Sequence, residues 1–260
     1  MIIFIIPYRE RPAELAVFLS HMKYLLEDIK DKYFIYIVNQ TDERPFNRGA
    51  MRNIGFLMAK KQFPETYKDI DLVFHDLDNL IGEKNLVDFK TDRGVVNHIF
   101  GSYKQYNIGG IFVMKGEDFE RINGYPNFWG WGFEDMCLGR RIAANKIDLA
   151  RKNFAFRDKH VVHLNFSPQQ AVAKRLLNDM NKKLFRQGSL QNSIPDGIQQ
   201  LKNLDVVCNN ISSKIKRYDI KNFTSYIPHT TTKERVQYVV APNWHNWFRK
   251  NLKKFLFGPA

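Results

Sequence analysis

Three short apolar runs, each breaking off into a polar or charged cluster, constrain this chain more than any other feature. IIFII (2–6) runs into PYRER (7–11), YFIYIV (33–38) into NQTDER (39–44), and DLVFH (71–75) into DLD (76–78). Unbroken apolar runs of this length are what strands buried on both faces require. After Pro12 the residues Leu15, Phe18, Leu19, Met22, Leu25 and Leu26 recur at helical spacing, and a second helix is expected from about Arg48 to Lys61. Strand, helix, strand, helix, strand is the pattern of an α/β fold with a mostly parallel sheet. Ligands of such sheets collect beyond the carboxyl ends of the strands. That directs attention to 7–11, 39–48 and 76–78, all polar or charged.

The second half is less regular. A strand is expected at about 110–114, a short helix after Lys115, a helix opening at Glu134, a strand over 154–164 and a helix over 168–183. From 184 onward the pattern weakens into polar loops, one apolar stretch at 236–240 and a basic, aromatic end. The division expected is one domain over 1–183 and a C-terminal extension over 184–260.

Composition narrows the function classes. The 260 residues suffice for a sizeable core without disulfides. Cys137 and Cys208 stand far apart, which excludes a disulfide scaffold and a four-cysteine zinc site and favours a reducing compartment. With 40 Lys and Arg against 27 Asp and Glu, the net charge of +13 points to an anionic partner. MIIFII is too short for a signal-peptide core, and no run reaches the roughly 18–20 apolar residues of a spanning helix. The expected location is the cytoplasm or the cytoplasmic face of a membrane.

Two constellations carry chemistry. Alternation along a strand puts Asp76 and Asp78 on one face, where paired carboxylates repel unless a cation intervenes. Oxygen ligands suit Mn²⁺ or Mg²⁺, which in turn bridge a diphosphate. An isolated Asp-x-Asp also reads as a solvated loop or a helix cap. The second constellation joins Gly109-Gly110 to the segment 129–135, WGWGFED. Glycines admit close backbone approach, tryptophans stack on sugars, and Glu134 and Asp135 open a helix where carboxylates are favoured. The bland alternative is a buried Trp cluster with two capping acids. His160 and His163, three apart in an expected strand, would point to opposite faces, so one could join a metal site.

Taken in order, PYRER (7–11), FNRGAMRNIG (46–55), DLD (76–78), GGIFVM (109–114), INGYPNFWGWGFED (122–135) and HVVH (160–163) resemble the β-1,4-galactosyltransferase family. These are inverting, metal-dependent glycosyltransferases of the GT-A, Rossmann-like α/β fold, and the resemblance covers about residues 1–165. It implies that Pro7, Arg9, Arg11, Phe46 and Arg48 hold a uridine nucleotide, with Asp76 and Leu77 beside the ribose and donor sugar. It implies Asp78 and His163 as Mn²⁺ ligands, with His160 falling where relatives carry a further ligand and Mg²⁺ as the alternative ion. Trp131 corresponds to the Trp of a mobile loop, and Glu134 and Asp135 to the acidic pair at the acceptor, Asp135 as catalytic base. Asn107, two residues before Gly109-Gly110, stands where galactose-specific members carry a bulky Tyr. It leaves room for an N-acetyl group, so UDP-N-acetylgalactosamine is a donor alongside UDP-galactose. Phe133 and Met136 replace residues of the usual acceptor site, which leaves the glycan or glycolipid acceptor open.

At the C-terminal end, Trp244, Trp247, Phe248, Leu252, Phe255 and Leu256 share one helical face and Arg249, Lys250, Lys253 and Lys254 the other. Such a pattern fits peripheral contact of 244–257 with an anionic membrane, or a terminal helix packed on the domain. Two rival functions are a non-catalytic glycan-binding module on the same fold and a basic nucleic-acid-binding protein. The latter has no motif here, and its basic residues are scattered, so no nucleic acid is expected.

Overall fold

The computed structural model describes residues 1–101, 106–130, 132–151, 154–155, 158–164, 181, 183–186, 196–227 and 229. The three apolar runs form β1 (Ile2–Tyr8), β2 (Tyr33–Gln40) and β3 (Asp71–His75). All three run parallel, with β1 in the middle. Helices α1 (Pro12–Leu25) and α2 (Arg48–Gln62) connect them. Strand alternation sends Ile2, Phe4 and Ile6 to one face, where they share a core with Leu15, Phe18 and Met22 of α1. Ile3 and Ile5 go to the other, with Ala50, Met51 and Ile54 of α2. Each of the large apolar side chains among these contributes about 1.5–3 kcal/mol through burial, and a one-residue slip would exchange the two faces.

Beyond β3 lie β4 (Asn79–Ile81), β5 (Val95–Gly101) and β6 (Ile111–Lys115), then α3 (Gly116–Arg121) and α4 (Glu134–Ala144). Short strands β7 (Asp148–Ala150), β8 (Phe154–Ala155) and β9 (Val161–His163) follow. The strand expected over 154–164 is therefore two pieces, with a turn at 159–160 between them. β6 is antiparallel to both β3 and β5, so the sheet is mixed where a mostly parallel one was expected. β5 has no apolar run to announce it because Asn97 and His98 interrupt it.

The largest departure concerns the residues read as an extension. β10 (Lys202–Asn210) and β11 (Ile215–Thr224) form a hairpin whose second strand lies parallel to β2. Among the described residues the main sheet has nine strands, in the order β10-β11-β2-β1-β3-β6-β5-β7, with β8 on β5. The stretch 202–224 is thus the sheet's margin. Its strands read weakly because β10, at the edge, is largely exposed and carries Lys, Asn and Asp, which blunt an open edge. A second, two-stranded sheet pairs β4 with β9. Both cysteines are free, and among the described residues no helix is long and apolar enough to cross a membrane. The stretch 236–240, the amphipathic end 244–257 and most of the helix expected over 168–183 lie outside the described residues.

Candidate active site

The parallel strands deliver their polar tails to one end of the sheet. From the end of β1, Arg9 donates to the carbonyls of Asp42 (2.7 Å) and Arg44 (2.5 Å) in the loop after β2. That draws together two segments expected to hold a nucleotide. The loop is braced again by Arg44, whose guanidinium packs beside the rings of Trp129 and Phe223, 4.8 and 4.5 Å from their centroids. The two rings themselves stack at 5.2 Å. Phe46 accepts at its carbonyl from Gly130 N (3.0 Å), and Asn47 caps α2 by accepting from Ala50 N (2.9 Å). The cap fixes where Arg48 leaves the helix. Pro7 lies within β1, opposite Val38 of β2, and Leu77 is buried just past β3.

Arg48 and Arg52, one turn apart on α2, meet three carboxylates. Arg48 donates to Asp76 (2.9 Å), to Glu134 (2.9 Å) and, in a very short contact, to Asp135. Arg52 donates to Asp76 (2.5 Å), to Asp135 (3.2 Å) and to the Tyr125 hydroxyl (2.6 Å). Two cations among three anions leave the cluster with one excess negative charge. Burial pushes the Asp135 carboxyl up to about 6, against the pull of Arg48. Asp76 goes the other way: the two arginines outweigh its desolvation and hold it below the usual carboxylate range. A carboxyl near 6 beside a carboxylate that stays ionised is a pairing suited to base work near neutral pH.

Gly109 and Gly110 close the site from the β6 side. Gly110 has φ +79°, favourable to glycine, and its carbonyl accepts from Asp76 N (3.2 Å). A Cβ on Gly109 would lie 2.7 Å from Asp135 Oδ2 and 3.4 Å from Asn107 Oδ1. Gly109 is thus packed closely against Asp135, with the Asn107 side chain beside it.

The Asp-x-Asp pair divides. Asp76 turns into the arginine cluster, whereas Asp78 faces Arg11 (3.4 Å) and His163. Pairing of β4 with β9 sets His163 opposite Asn79, and Leu164 N donates to the Asp78 carbonyl (2.7 Å). Burial lowers the His163 pKa and the Asp78 charge opposes that shift. A neutral imidazole beside a carboxylate is a donor set that fits Mn²⁺. His160 is not brought to Asp78. It sits in the turn before β9, its ring on Asp158 (2.8 Å) and its carbonyl on Gly82 N (2.7 Å). Antiparallel register is the cause: it carries residue 160 to Gly82, four residues past Asp78, and residues 163 and 164 to Asn79 and Asp78. Among the described residues no three His, Cys, Asp or Glu side chains gather into a metal site. Trp131 lies outside the described residues.

Arg52 and Tyr125 escaped the reading of the sequence. An i, i+4 pair of arginines behind an N-cap was the available signal, because such residues share a helix face. Arg44, with its aromatic partners Trp129 and Phe223, left no comparable trace.

Comparison with known proteins bears on this geometry. Residues 1–88 match the model of the N-terminal region of glycosyl transferase group 7, and residues 96–164 that of the N-terminal domain of galactosyltransferase. Human β-1,4-galactosyltransferase 7 is 36% identical over 155 residues, which is 56% of this chain and 45% of that protein. Xylosylprotein 4-beta-galactosyltransferase of Caenorhabditis elegans is 34% identical over 156 residues, 56% of this chain and 52% of its own. The chain thus spans about half the length of the curated relatives it matches. Among solved structures, the catalytic domain of Drosophila β-1,4-galactosyltransferase 7 in complex with xylobiose superposes with a TM-score of 0.67 at 23% identity. The superposition covers 85% of this chain and 93% of that one. A mutant of that enzyme in complex with manganese, UDP-Gal and xylobiose gives 0.66 over the same shares. The fold is GT-A, as these catalytic domains have it.

Proposed function

Because the chain belongs to the β-1,4-galactosyltransferase family, we propose that it transfers a hexose from a UDP-sugar to a glycan hydroxyl, with inversion and with Mn²⁺. The observation that carries this reading is the placing of Asp135 against Gly109 and Asn107, with Asp78 and His163 on the strand pair beyond Asp76. Asp135 accepts the proton of the acceptor hydroxyl. That oxygen attacks the anomeric carbon from the face opposite the diphosphate, and the bond to UDP breaks with its electron pair leaving on UDP. Asp78 and His163 would hold a divalent ion, which would supply neutralisation of charge on the departing diphosphate. Arg9, Phe46 and Arg48 bind and orient the nucleotide side, and Arg11 stands at its entrance. Glu134, donating nothing and accepting from Arg48 and Gly132 N (3.0 Å), steadies the helix start under the acceptor.

The donor is UDP-galactose, and Asn107 supports UDP-N-acetylgalactosamine as a second. A saccharide acceptor, free or lipid-linked, meets the face bearing Phe133 and Met136. Residues 244–257 hold the protein to an anionic membrane on its cytoplasmic side, a reading supported by their residue pattern alone. The test is UDP release from each UDP-sugar, with and without Mn²⁺, against β-xyloside, β-glucoside and β-N-acetylglucosaminide acceptors. Flotation with phosphatidylserine vesicles tests the membrane contact. No Mn²⁺-dependent UDP release from either donor would overturn the enzymatic reading.

A further inference from the structure

Arg52 is fully buried, its side chain 0% exposed, at a helix position whose neighbours Met51 and Ile54 are core residues. An apolar side chain would fill that place without desolvating a charge. A buried ion pair is weak evidence for stability, since desolvation offsets most of the attraction. What a guanidinium adds is geometry: a planar fork that holds two acceptors at fixed angles. Here one arm reaches Asp76 Oδ1 and the other is shared by Asp135 Oδ1 and the Tyr125 hydroxyl. The guanidinium lies 4.9 Å from the centroid of the Tyr125 ring, and its Nε is buried with no hydrogen-bond partner.

The two oxygens of Asp135 are thereby made unequal. Oδ1 is tied inward to Arg52. Oδ2 looks to Gly109 and to Arg48, whose side chain keeps 18% of its surface exposed. A ligand can reach and redirect Arg48, but not Arg52. Resting on the reading of Asp135 as base, we propose that Arg52 is a positioning residue. It fixes Oδ1 of Asp135 against Asp76 so that Oδ2 faces the acceptor when Arg48 turns to the donor. The charged and titratable groups facing Asp135 are Arg48 and Arg52 of α2, Asp76 after β3, Glu134 of its own helix and Tyr125 of the preceding loop. Removing Arg52 leaves one cation among three carboxylates.

The experiment compares Arg52→Met, Arg52→Lys and Asp135→Asn. Asp135 is titrated by carboxyl carbon NMR, with its signal assigned by loss in Asp135→Asn, and transfer kinetics are measured from UDP-galactose. In Arg52→Met the Asp135 titration should rise by about one pH unit, as the loss of a close opposite charge requires. Arg52→Lys keeps the charge and loses the fork, so its titration should stay while kcat falls about tenfold or more and donor KM holds within about twofold. Should Arg52→Met fail to fold by circular dichroism, the Arg52→Lys kinetics decide, and a wild-type kcat there overturns the proposal. An unmoved titration in folded Arg52→Met, with Asp135→Asn inactive, overturns the role of Arg52 alone. Transfer that survives in Asp135→Asn overturns the base assignment, and the catalytic meaning of Arg52 with it.

Discussion

Asp78 and His163 stand side by side because antiparallel pairing places His163 opposite Asn79, while the Asp78 carbonyl accepts from Leu164 N at 2.7 Å. Eighty-four residues of chain separate them, and one strand pair makes them neighbours. If they hold the ion, Asp78→Ala should weaken Mn²⁺-dependent UDP binding at least as much as outer-shell changes do, about 10–100-fold. Calorimetric titration of UDP with and without Mn²⁺ checks this. Unchanged binding would remove Asp78 from the metal site.

Asp135→Asn should keep UDP binding and lower transfer by about 10²–10⁴-fold, the scale of a general base. With its carboxyl pushed up to about 6 by burial, the base is protonated and idle below that pH. In the wild type kcat/KM should therefore rise through about pH 6 and level off above it. A profile flat from pH 5 to 7 would contradict the assignment.

Gly109→Ala tests the donor pocket. The new methyl would lie 2.7 Å from Asp135 Oδ2, so the carboxylate must swing away. Transfer should fall about a hundredfold, the effect of a displacement near 1 Å, while the circular dichroism spectrum stays that of the wild type. Full activity would mean that Asp135 does not work from this position.

Phe223, on the hairpin at the sheet's margin, is fully buried and packs on Arg44, which braces the loop after β2. Phe223→Ala should cost about 3–5 kcal/mol of stability and weaken UDP binding beyond what partial unfolding explains. Denaturant melts and UDP titration at low temperature separate the two effects.

Acid should destabilise the fold through its buried histidines. His75 is fully buried, and desolvation drops its pKa to about 4 from the ordinary 6.5. Between those values the unfolded chain takes up a proton that the folded one refuses. Stability is thus complete above pH 6.5 and declines as pH falls towards 4, by about 3 kcal/mol from this group. Burial lowers His21 and His98 as well, with the same sign. Thermal melts at pH 7 and pH 5 should differ, and His75→Leu should narrow the gap.

Reading the residues in order already picked out the segments that surround the candidate site. Each apolar run ended in the polar segment that the structure carries to one end of the sheet, because burial on both faces is written into consecutive residues. The start of α2 at Arg48 and the acidic start of α4 were equally local. Which of His160 and His163 lies beside Asp78 was not legible, because a spacing of three gives no register until the partner strand β4 is known. β10 was invisible because an edge strand satisfies half its hydrogen bonds with water and needs no apolar face to announce it, and β11 because its buried Tyr218, Ile220 and Phe223 are interspersed with polar residues.

What the chain's order of residues determined by itself was the layered α/β scaffold, since burial leaves a periodic trace in any strand or helix it covers. Only the tertiary structure decided that Arg52 would be a buried fork under Asp135 and that Phe223 would brace a loop some 180 residues earlier. Those relations depend on distances across the sheet, and a linear pattern has no term for how far apart two of its letters end up.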